Sequence, residues 1–473
     1  MPGFGCWQLR AMVLSVVGAA SCSVPASAQS LEAALAYAYA NNPQLNAQRA
    51  QVRATDENVP TALAGYRPRV SITANAGTQS LSTTIREISS TTPPGAAASY
   101  FTQSGVNAPR GAGATVTQNL LNGFQTANRT RQAEAQVFAA RETLRNIEQT
   151  VLLNAATAYM NLLRDGGILE LQRSNVEVLQ EQLRQSKQRL EQGNVTQTDV
   201  SQSEARLAVG RTQLFAAEAA YETSKAAFRQ VIGLEPGRLL PAAPVDRFSP
   251  NTLPAAVAAG TAANPNVTTA QFNVDVALMQ VKVAEGALYP TVNVVGQVQK
   301  NYEVALNSLE TFTGSLAGQF SMPIYQGGSE YAAIRQAKET HGQRQLDLNV
   351  ARDLARVTVV QAWSLLEAAK SSIESTRNQV KSAEAALNGV REEARLGQRT
   401  TLDVLNAQQE LVSARIALVQ AQRDRLVNSY GLLAAVGRLS PQVLGLQVAT
   451  YDPAVHYHQV RDAWTGVRTP DGR

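Results

Sequence analysis

The sequence predicts a mixed α and β fold: a tandem-duplicated protomer of long coiled-coil helices plus four β-strands. The first observation is an internal repeat, since GNVTQTDV at residues 193–200 returns as GQRTTLDV at residues 397–404. The second is a long helical run before each of these turns. The third is a pair of alternating strand patterns before each helical run.

The first 28 residues have the pattern of a secretory signal peptide, so residues 1–28 are assigned to one. Arg10 is its charge, an apolar run follows at residues 11–20, and Ala26-Ser27-Ala28 forms a small-x-small cleavage site. That run is too short to span a bilayer. Cys22 leaves a lipoprotein signal as an alternative, although Ala19 stands where such a signal has Leu. The sequence therefore predicts export from the cytoplasm.

Composition argues against several classes of function. Both cysteines, Cys6 and Cys22, lie in the predicted signal, so the mature chain would have no disulfide and no thiolate metal site. The formal charge of +5 becomes +4 without Arg10, which is too near neutrality to indicate a nucleic acid partner. Beyond residue 30 no apolar run is long enough for a membrane helix, so any entry into a membrane would use strands.

The internal repeat divides the chain. Asn42-Pro43 recurs 222 residues later as Asn264-Pro265, whereas Asp199 recurs 204 residues later as Asp403. The difference places 18 extra residues in the first copy, within a segment rich in Ser, Thr and Pro, 83–111, that is predicted to be a loop. We therefore assign the following ranges to repeat 1, repeat 2 and a C-terminal periplasmic tail: 29–240, 241–437 and 438–473.

Each repeat has the same order of elements. It begins with a helical stretch, about residues 31–66 or 253–288, which a proline ends. Apolar and polar residues then alternate in two strands, in the pattern of a membrane β-strand with one apolar and one polar face. The four strands are predicted at about 68–80, 111–121, 290–300 and 313–323.

A helical hairpin completes each repeat. A helical run of roughly 70 residues would be about 105 Å long, and a glycine turn then leads into a return helix of about half that length. The hairpins are predicted at 123–232, with a tip near 193–199, and at 327–436, with a tip near 397–403. In each repeat, the return helix and the leading helix together are about as long as the long helix. This predicts two short helices stacked end to end beside a long one.

Heptad spacing supports this packing. In the first return helix large residues recur every seven positions, and small residues such as Ser203, Gly210 and Ala217 fill the companion positions. The large residues are Val200, Leu207, Leu214, Tyr221 and Phe228. Such rows describe coiled-coil seams between closely spaced helices. A long periplasmic coiled coil would explain the helices, but it would not explain the strands.

The number of strands requires an oligomer. Four strands cannot close a barrel, and an open sheet edge cannot lie in lipid because its N–H and C=O groups would be unpaired. Known single-chain barrels start at about eight strands. Two copies would give eight strands, and three copies would give twelve, with twelve helical columns in a ring beneath them.

Three motifs are shared with a known family. They are ALAYAYANNPQLNAQRA and the residues that follow it (34–70), Asn122-Gly123, and the duplicated G-x-x-T-x-x-D-V turn. Together they resemble the TolC family of outer-membrane efflux and secretion ducts, over about residues 31–440. The resemblance implies a trimer, with a twelve-stranded outer-membrane β-barrel continuous with a periplasmic α-helical barrel. It also implies a passive exit duct that conducts substrates from an inner-membrane pump and a periplasmic adaptor, without catalysis or a cofactor.

The resemblance also implies roles for the two turns, as periplasmic tips around a gated entrance. In the family an Arg and an Asp there hold the entrance shut through bonds between helices, and the matching residues are Arg399 and Asp199. Inward-facing acids past the second tip form a constriction ring; Asp403 matches the first, whereas Asn406 replaces the second. The ring is therefore expected to hold one carboxylate per chain instead of two and to attract cations more weakly. A Tyr that supports the closed state of the entrance in some relatives is matched here by Ala394.

The adaptor is expected to contact four small residues of the tips: Gly193, Thr196, Gly397 and Thr400. Small residues there allow helix tips to approach closely. From spacing alone, Thr196-x-x-Asp199 and Thr400-x-x-Asp403 fit helix N-caps with an acid at the third position, worth on the order of 1 kcal/mol. Capping and gating are compatible, since an exposed helix end needs a cap in either case.

Other features are less informative. A hinge is one interpretation of Gly166-Gly167 in the first long helix. On a strand, His456-Tyr457-His458 would place two imidazoles on one face, but with no Cys nearby a metal site is not predicted. The tail is expected to pack around the helical barrel, with Tyr451 and Trp464 covering apolar surface. The sequence shows no recognisable nucleophile–histidine–acid arrangement, so enzymatic activity is not predicted.

Two rival classes stay open beside the duct. A periplasmic adaptor also has a signal peptide and a helical hairpin, but it has one hairpin, whereas this chain has two with strand pairs at matching places. In a structural coiled-coil protein lipid-facing strands would have no purpose. The cargo is left open, because the partner, an ABC or a proton-driven pump, sets it. The N-terminal motif is most similar to members that serve type I protein secretion.

Overall fold

The computed structural model describes residues 29–87, 99–193, 195–305, 309–470 and 472. The predicted signal peptide, with both cysteines, lies outside these residues. The helices are α1 (Leu31–Asn41), α2 (Pro43–Asp56), α3 (Asn58–Leu63), α4 (Gln125–Glu191), α5 (Gln197–Ile232), α6 (Leu253–Ala263), α7 (Pro265–Gly286), α8 (Ser329–Arg395), α9 (Thr401–Ala435), α10 (Pro441–Leu444) and α11 (Pro453–Val460). The strands are β1 (Arg69–Ala76), β2 (Gln79–Glu87), β3 (Ser99–Asn107), β4 (Arg110–Asn122), β5 (Thr291–Tyr302) and β6 (Glu310–Ser321).

The two long helices have equal length. Both α4 and α8 contain 67 residues, which corresponds to about 100 Å. Each follows a left-handed residue, Phe124 at φ 59° or Gly328 at φ 84°. Each is followed by a turn whose glycine has positive φ, 76° at Gly193 and 78° at Gly397. Glycine adopts this conformation without steric cost, so the chain reverses sharply at both tips.

The Asn-Pro motifs join the short helices end to end. Asn42 and Asn264 cap α2 and α7 with their side-chain oxygens, and a proline follows each at the first helical position. Their amide nitrogens also donate to the last turn of the return helices, to the Val231 carbonyl at 3.0 Å and the Ala435 carbonyl at 3.2 Å. One side chain therefore satisfies the start of one helix and the end of another, as the predicted stacking requires.

The heptad rows form the seams between helices. Leu207 of α5 is buried in one cluster with Val176 and Leu179 of α4 and Leu405 of α9. A Cβ added to Gly210 would lie 2.7 Å from Leu179 Cδ1, so the small companion row lets α5 approach α4 closely. The four columns follow in the order α2 with α5, then α4, then α7 with α9, then α8.

The main sheet combines strands from both repeats. Its order is β1-β4-β5-β6, with all pairs antiparallel and a bulge between Asn119 and Leu121. The central pair β4–β5 therefore joins repeat 1 to repeat 2. Strands β1 and β6 form the two lateral edges of the sheet. In the same way, the column of α2 with α5 and the column of α8 are the two outer helical columns.

The predicted loop at 83–111 is wrong over 83–87 and over most of 99–111, and its part at 88–98 lies outside the described residues. Strands β2 and β3 form a separate antiparallel hairpin there, so the described residues contain six strands and not four. Ile85 lies opposite Phe101, and the Thr84 and Thr102 hydroxyls are 2.9 Å apart. The Ser- and Thr-rich composition indicated a loop, but β-branched and aromatic residues favour strands once cross-strand partners are available.

The tail packs on repeat 1 and corrects two expectations. His456 and His458 lie on helix α11 and not on a strand, so their side chains point to different faces. Tyr451 does pack against the main core, whereas Trp464 remains 68% exposed. Helix α4 runs unbroken through Gly166-Gly167.

Candidate functional site

The first tip is a capped helix start. The Asp199 carboxylate accepts from the Thr196 backbone N–H at 2.9 Å and from its hydroxyl at 2.8 Å. The Thr196 hydroxyl accepts in turn from the Asp199 backbone N–H at 3.4 Å, which completes a capping box. These donors stabilise the ionised form, so the pKa of the Asp199 carboxyl is lowered from its ordinary value.

The second tip repeats this geometry. The Asp403 carboxylate accepts from the Thr400 N–H at 3.0 Å and from the Thr400 hydroxyl at 2.8 Å. The pKa of the Asp403 carboxyl is lowered by these hydrogen bonds and, to a smaller extent, by the positive charge of Arg399. The capping interpretation of both motifs is therefore confirmed. Both threonine hydroxyls are used inside their own hairpins.

Arg399 is exposed beside the second tip. Its Nε donates to Glu393 at 2.9 Å, and this bond raises the pKa of the guanidinium. Among the described residues of one protomer, no hydrogen bond or ion pair joins Arg399 to Asp199. The bond between helices that the resemblance implies would therefore need another protomer or another state of the tips.

Asn406 takes part in a contact that the sequence did not indicate. Its side-chain oxygen accepts from Arg206 Nη2 at 2.7 Å, which links α9 to α5 beside the cluster that contains Leu207 and Leu405. Arg206 directly precedes a seam leucine, and flanking positions of seams commonly hold such interhelical pairs. The two residues are 200 positions apart, so the heptad pattern alone could not pair them.

A basic groove lies between the two hairpins beside the tips. Its volume is roughly 290 Å³, and its lining includes Arg189, Arg391, Arg395 and Arg399. Arg391 donates to Gln408 at 3.0 Å, and Arg395 pairs with Glu392 at 3.1 Å. Gly193 and Gly397 are exposed at the ends, and a Cβ at either would meet no atom within 4 Å.

The main sheet has one apolar and one polar face. The register places Val70, Val116, Gly296 and Leu316 side by side across the four strands. The next row, on the other face, is Ser71, Thr115, Gln297 and Ser315. Within the part of the chain that the structure describes, the apolar face is left exposed, with Val70 68% and Leu316 80% exposed. This alternation is typical of strands between lipid and an aqueous lumen.

No helix in the described ranges is both long and apolar enough to cross a membrane.

Comparison with known proteins places these features in one family. A profile of the family described as "Outer membrane efflux protein" matches residues 34–234 and 260–438. The outer membrane efflux protein BepC of Brucella suis biovar 1 (strain 1330) is 40% identical over 469 residues, covering 99% of this chain and 98% of BepC. The outer membrane protein TolC of Escherichia coli (strain K12) is 27% identical over 318 residues, 64% of each chain. The crystal structure of the Campylobacter jejuni CmeC outer membrane channel is similar in fold, with a TM-score of 0.73 at 15% identity, covering 91% of this chain and 89% of CmeC.

Proposed function

The chain belongs to the outer membrane efflux protein family, and we propose that it forms the trimeric, gated exit duct of a tripartite efflux or type I secretion system. It is an outer-membrane component of such systems, as are its relatives, which are transport channel proteins and not enzymes. The observation that supports the trimer most directly is a sheet with one apolar face and two free edges. The repeats at 29–240 and 241–437 each supply one pair of its strands.

The edges of the sheet argue for closure by further copies. Strands β1 and β6 each have one neighbour in the main sheet, and their outer N–H and C=O groups would be unpaired in lipid. Pairing β6 of one protomer with β1 of the next removes both edges of the main sheet. Three copies supply twelve strands, within the range of known outer-membrane barrels, whose larger members enclose a channel.

The helical edge argues for the same neighbour. Helix α8 packs against α6, α7 and α9, and its opposite face is an exposed apolar row. The row, called the α8 row below, contains Leu346, Val350, Leu354, Val357 and Leu365, each at least 50% exposed. Positions spaced by three or four residues lie on one helix face. An exposed row of this length needs a partner, and the adjoining protomer's α2–α5 column lies beside it when β6 meets β1.

The gate is proposed at the tips. Asp199 of one hairpin and Arg399 of a neighbouring one would form ion pairs that hold the six tips together, in competition with the Arg399–Glu393 pair. Asp403 and Asn406 would face the constriction, where Arg206 already holds Asn406. Because Asn406 is uncharged, the ring would contain one carboxylate per protomer.

The partners follow from the same arrangement. The exposed Gly193, Thr196, Gly397 and Thr400 would contact the tip of a periplasmic adaptor, which links the duct to an inner-membrane ABC or proton-driven pump. The basic groove beside the tips would favour acidic residues on that adaptor.

Single-channel recording tests the duct and its gate together. Purified wild-type protein, Arg399→Ser and a matched Arg395→Ser control would be compared in planar bilayers. Arg395 lines the same groove and has its own glutamate partner. We expect a small, steady wild-type conductance that rises clearly in Arg399→Ser and stays unchanged in the control.

The outcomes separate the two proposals. An equal rise in both variants would mean that general loss of positive charge opens the tips, and Arg399 would lose its specific role. A small conductance that neither variant changes would keep the duct but reject the gate. Folded protein that forms no channel would reject the duct itself.

A further inference from the structure

Exposed aromatic residues mark the helical end of every strand in the main sheet. Tyr66 precedes β1, Phe124 follows β4, Tyr289 precedes β5 and Tyr325 follows β6. Their exposed fractions are 53%, 68%, 56% and 78%. Aromatic side chains collect at this level because their rings suit the boundary between lipid tails and water. The four residues, called the aromatic row below, lie where the apolar sheet face ends.

The C-terminal tail places a tryptophan at the same level. Trp464 stacks on the Arg67 guanidinium, which lies 4.6 Å from the ring centroid. Arg67 Nη1 also donates to the Ala463 carbonyl at 2.6 Å. Arg67 stands between Tyr66 and the first residue of β1, so it fixes Trp464 beside the aromatic row although the two residues are distant in sequence.

Helix α11 gives this contact a rigid base. His456 Nδ1 lies 2.9 Å from the Asp56 carboxylate of α2, and both side chains are buried. Tyr457 packs against Val59 and Val137, and Arg141 stacks on its ring at 5.2 Å. The tail is therefore attached to the helices just before Trp464.

The composition around Trp464 suits a membrane surface. Trp464 is 68% exposed and Val467 is fully exposed, so two apolar side chains point away from the protein. Arg461 and Arg468 flank them. A tryptophan with nearby arginines is typical of segments that lie in the headgroup region, where the ring contacts acyl chains and the cations contact phosphates.

We propose that Trp464 is a membrane-interface anchor, which attaches the C-terminal tail to the inner leaflet of the outer membrane. The partner is the phospholipid interface, and the inference rests on the proposed insertion of the sheet into that membrane. The tail would then brace the outer helices against the bilayer where they meet the strands.

Fluorescence quenching by brominated phospholipids tests the anchor. Beyond Trp7 in the predicted signal, the chain has two tryptophans, Trp363 and Trp464, so Trp363→Phe isolates the anchor and Trp464→Phe gives a matched control. The proteins would be reconstituted in vesicles with bromines near the headgroups or near the bilayer centre. We expect Trp464 emission to fall by roughly half with shallow bromines and by less with deep ones. Trp363, on the helical part, should not respond.

Two further variants distinguish a failure of the proposed anchor from a failure of the proposed membrane sheet. Leu316→Trp, with Trp363 and Trp464 both changed to Phe, reports on the apolar sheet face and should respond to deep bromines. Arg67→Gln should weaken the quenching of Trp464 by shallow bromines, while leaving the quenching of Leu316→Trp by deep bromines unchanged.

Each outcome has a defined meaning. If Trp464 ignores bromines and is quenched by aqueous iodide, the anchor is rejected. If neither quencher reaches it, protein covers it and the anchor is also rejected. If Leu316→Trp responds in these cases, the inserted sheet stands; if Leu316→Trp fails to respond, the proposed membrane sheet is what has failed.

Discussion

The α8 row allows the proposed trimer to be tested with a calculated magnitude. Burying a leucine side chain completely contributes about 1.5–3 kcal/mol. Leu354 is 61% exposed in the single protomer, so burying the rest of its side chain in the trimer interface would contribute roughly 1–2 kcal/mol to association. A closed trimer has three identical interfaces. Leu354→Ser should therefore cost about 3–6 kcal/mol per trimer, equivalent to roughly a 10²- to 10⁴-fold lower association constant.

Sedimentation in detergent over a range of protein concentrations would measure this change. Wild-type protein should remain trimeric to lower concentration than Leu354→Ser. Leu309→Ser is the matched control, because Leu309 is 84% exposed but precedes β6 at the far end of the sheet. If Leu354→Ser dissociates no more readily than Leu309→Ser, the α8 row is not a protomer interface and the reasoning is refuted.

Three other substitutions give separate tests. Gly437→Ala should lower the stability by at least about 1–2 kcal/mol in thermal unfolding, because φ is 78° there and a Cβ would lie 2.5 Å from the Ala263 carbonyl oxygen; an unchanged melting curve would contradict this. The lowered pKa of Asp199 means that its cap is complete above the ordinary carboxyl value of 3.8 and is lost as pH falls through the lowered pKa. The protection of the first-tip amides, measured by hydrogen exchange relative to the intrinsic rate at each pH, should therefore fall below that range in wild type, and Asp199→Asn should remove this loss of protection. Asn406→Asp should increase cation preference in reversal-potential measurements, whereas equal selectivity would place the residue outside the conduction path.

Much of the fold was predictable because it depends on local chemistry. The sharp turns at the two tips need a residue with positive φ, and glycine adopts that conformation without steric cost. Gly193 and Gly397 therefore marked both tips in the sequence. The heptad rows and the alternating strands depend on helix and strand periods, which are also local. The predicted protomer of long helices and strands, and the TolC-family resemblance, are therefore confirmed.

The errors arose where contacts with other segments, and not local composition, decide the structure. The polar composition of 83–111 indicated a loop, but cross-strand pairing of β2 with β3, such as that of Ile85 with Phe101, makes the described part a hairpin. The His456 segment was interpreted as a strand, but packing on α2 stabilises a helix. Propensity over a few residues is a weak guide when tertiary contacts can outweigh it.

The sequence by itself determined the repeat, the tips, the caps and the apolar face of the sheet, because each follows from spacing along the chain. Only the tertiary structure decided which side chains from distant parts of the chain contact each other. Arg206 and Asn406 are 200 residues apart, Asp56 and His456 are 400 apart, and Arg67 reaches Ala463 across 396. No local period encodes such contacts, since they depend on how the two hairpins and the tail are stacked. The Trp464 anchor could therefore be inferred only from the folded chain.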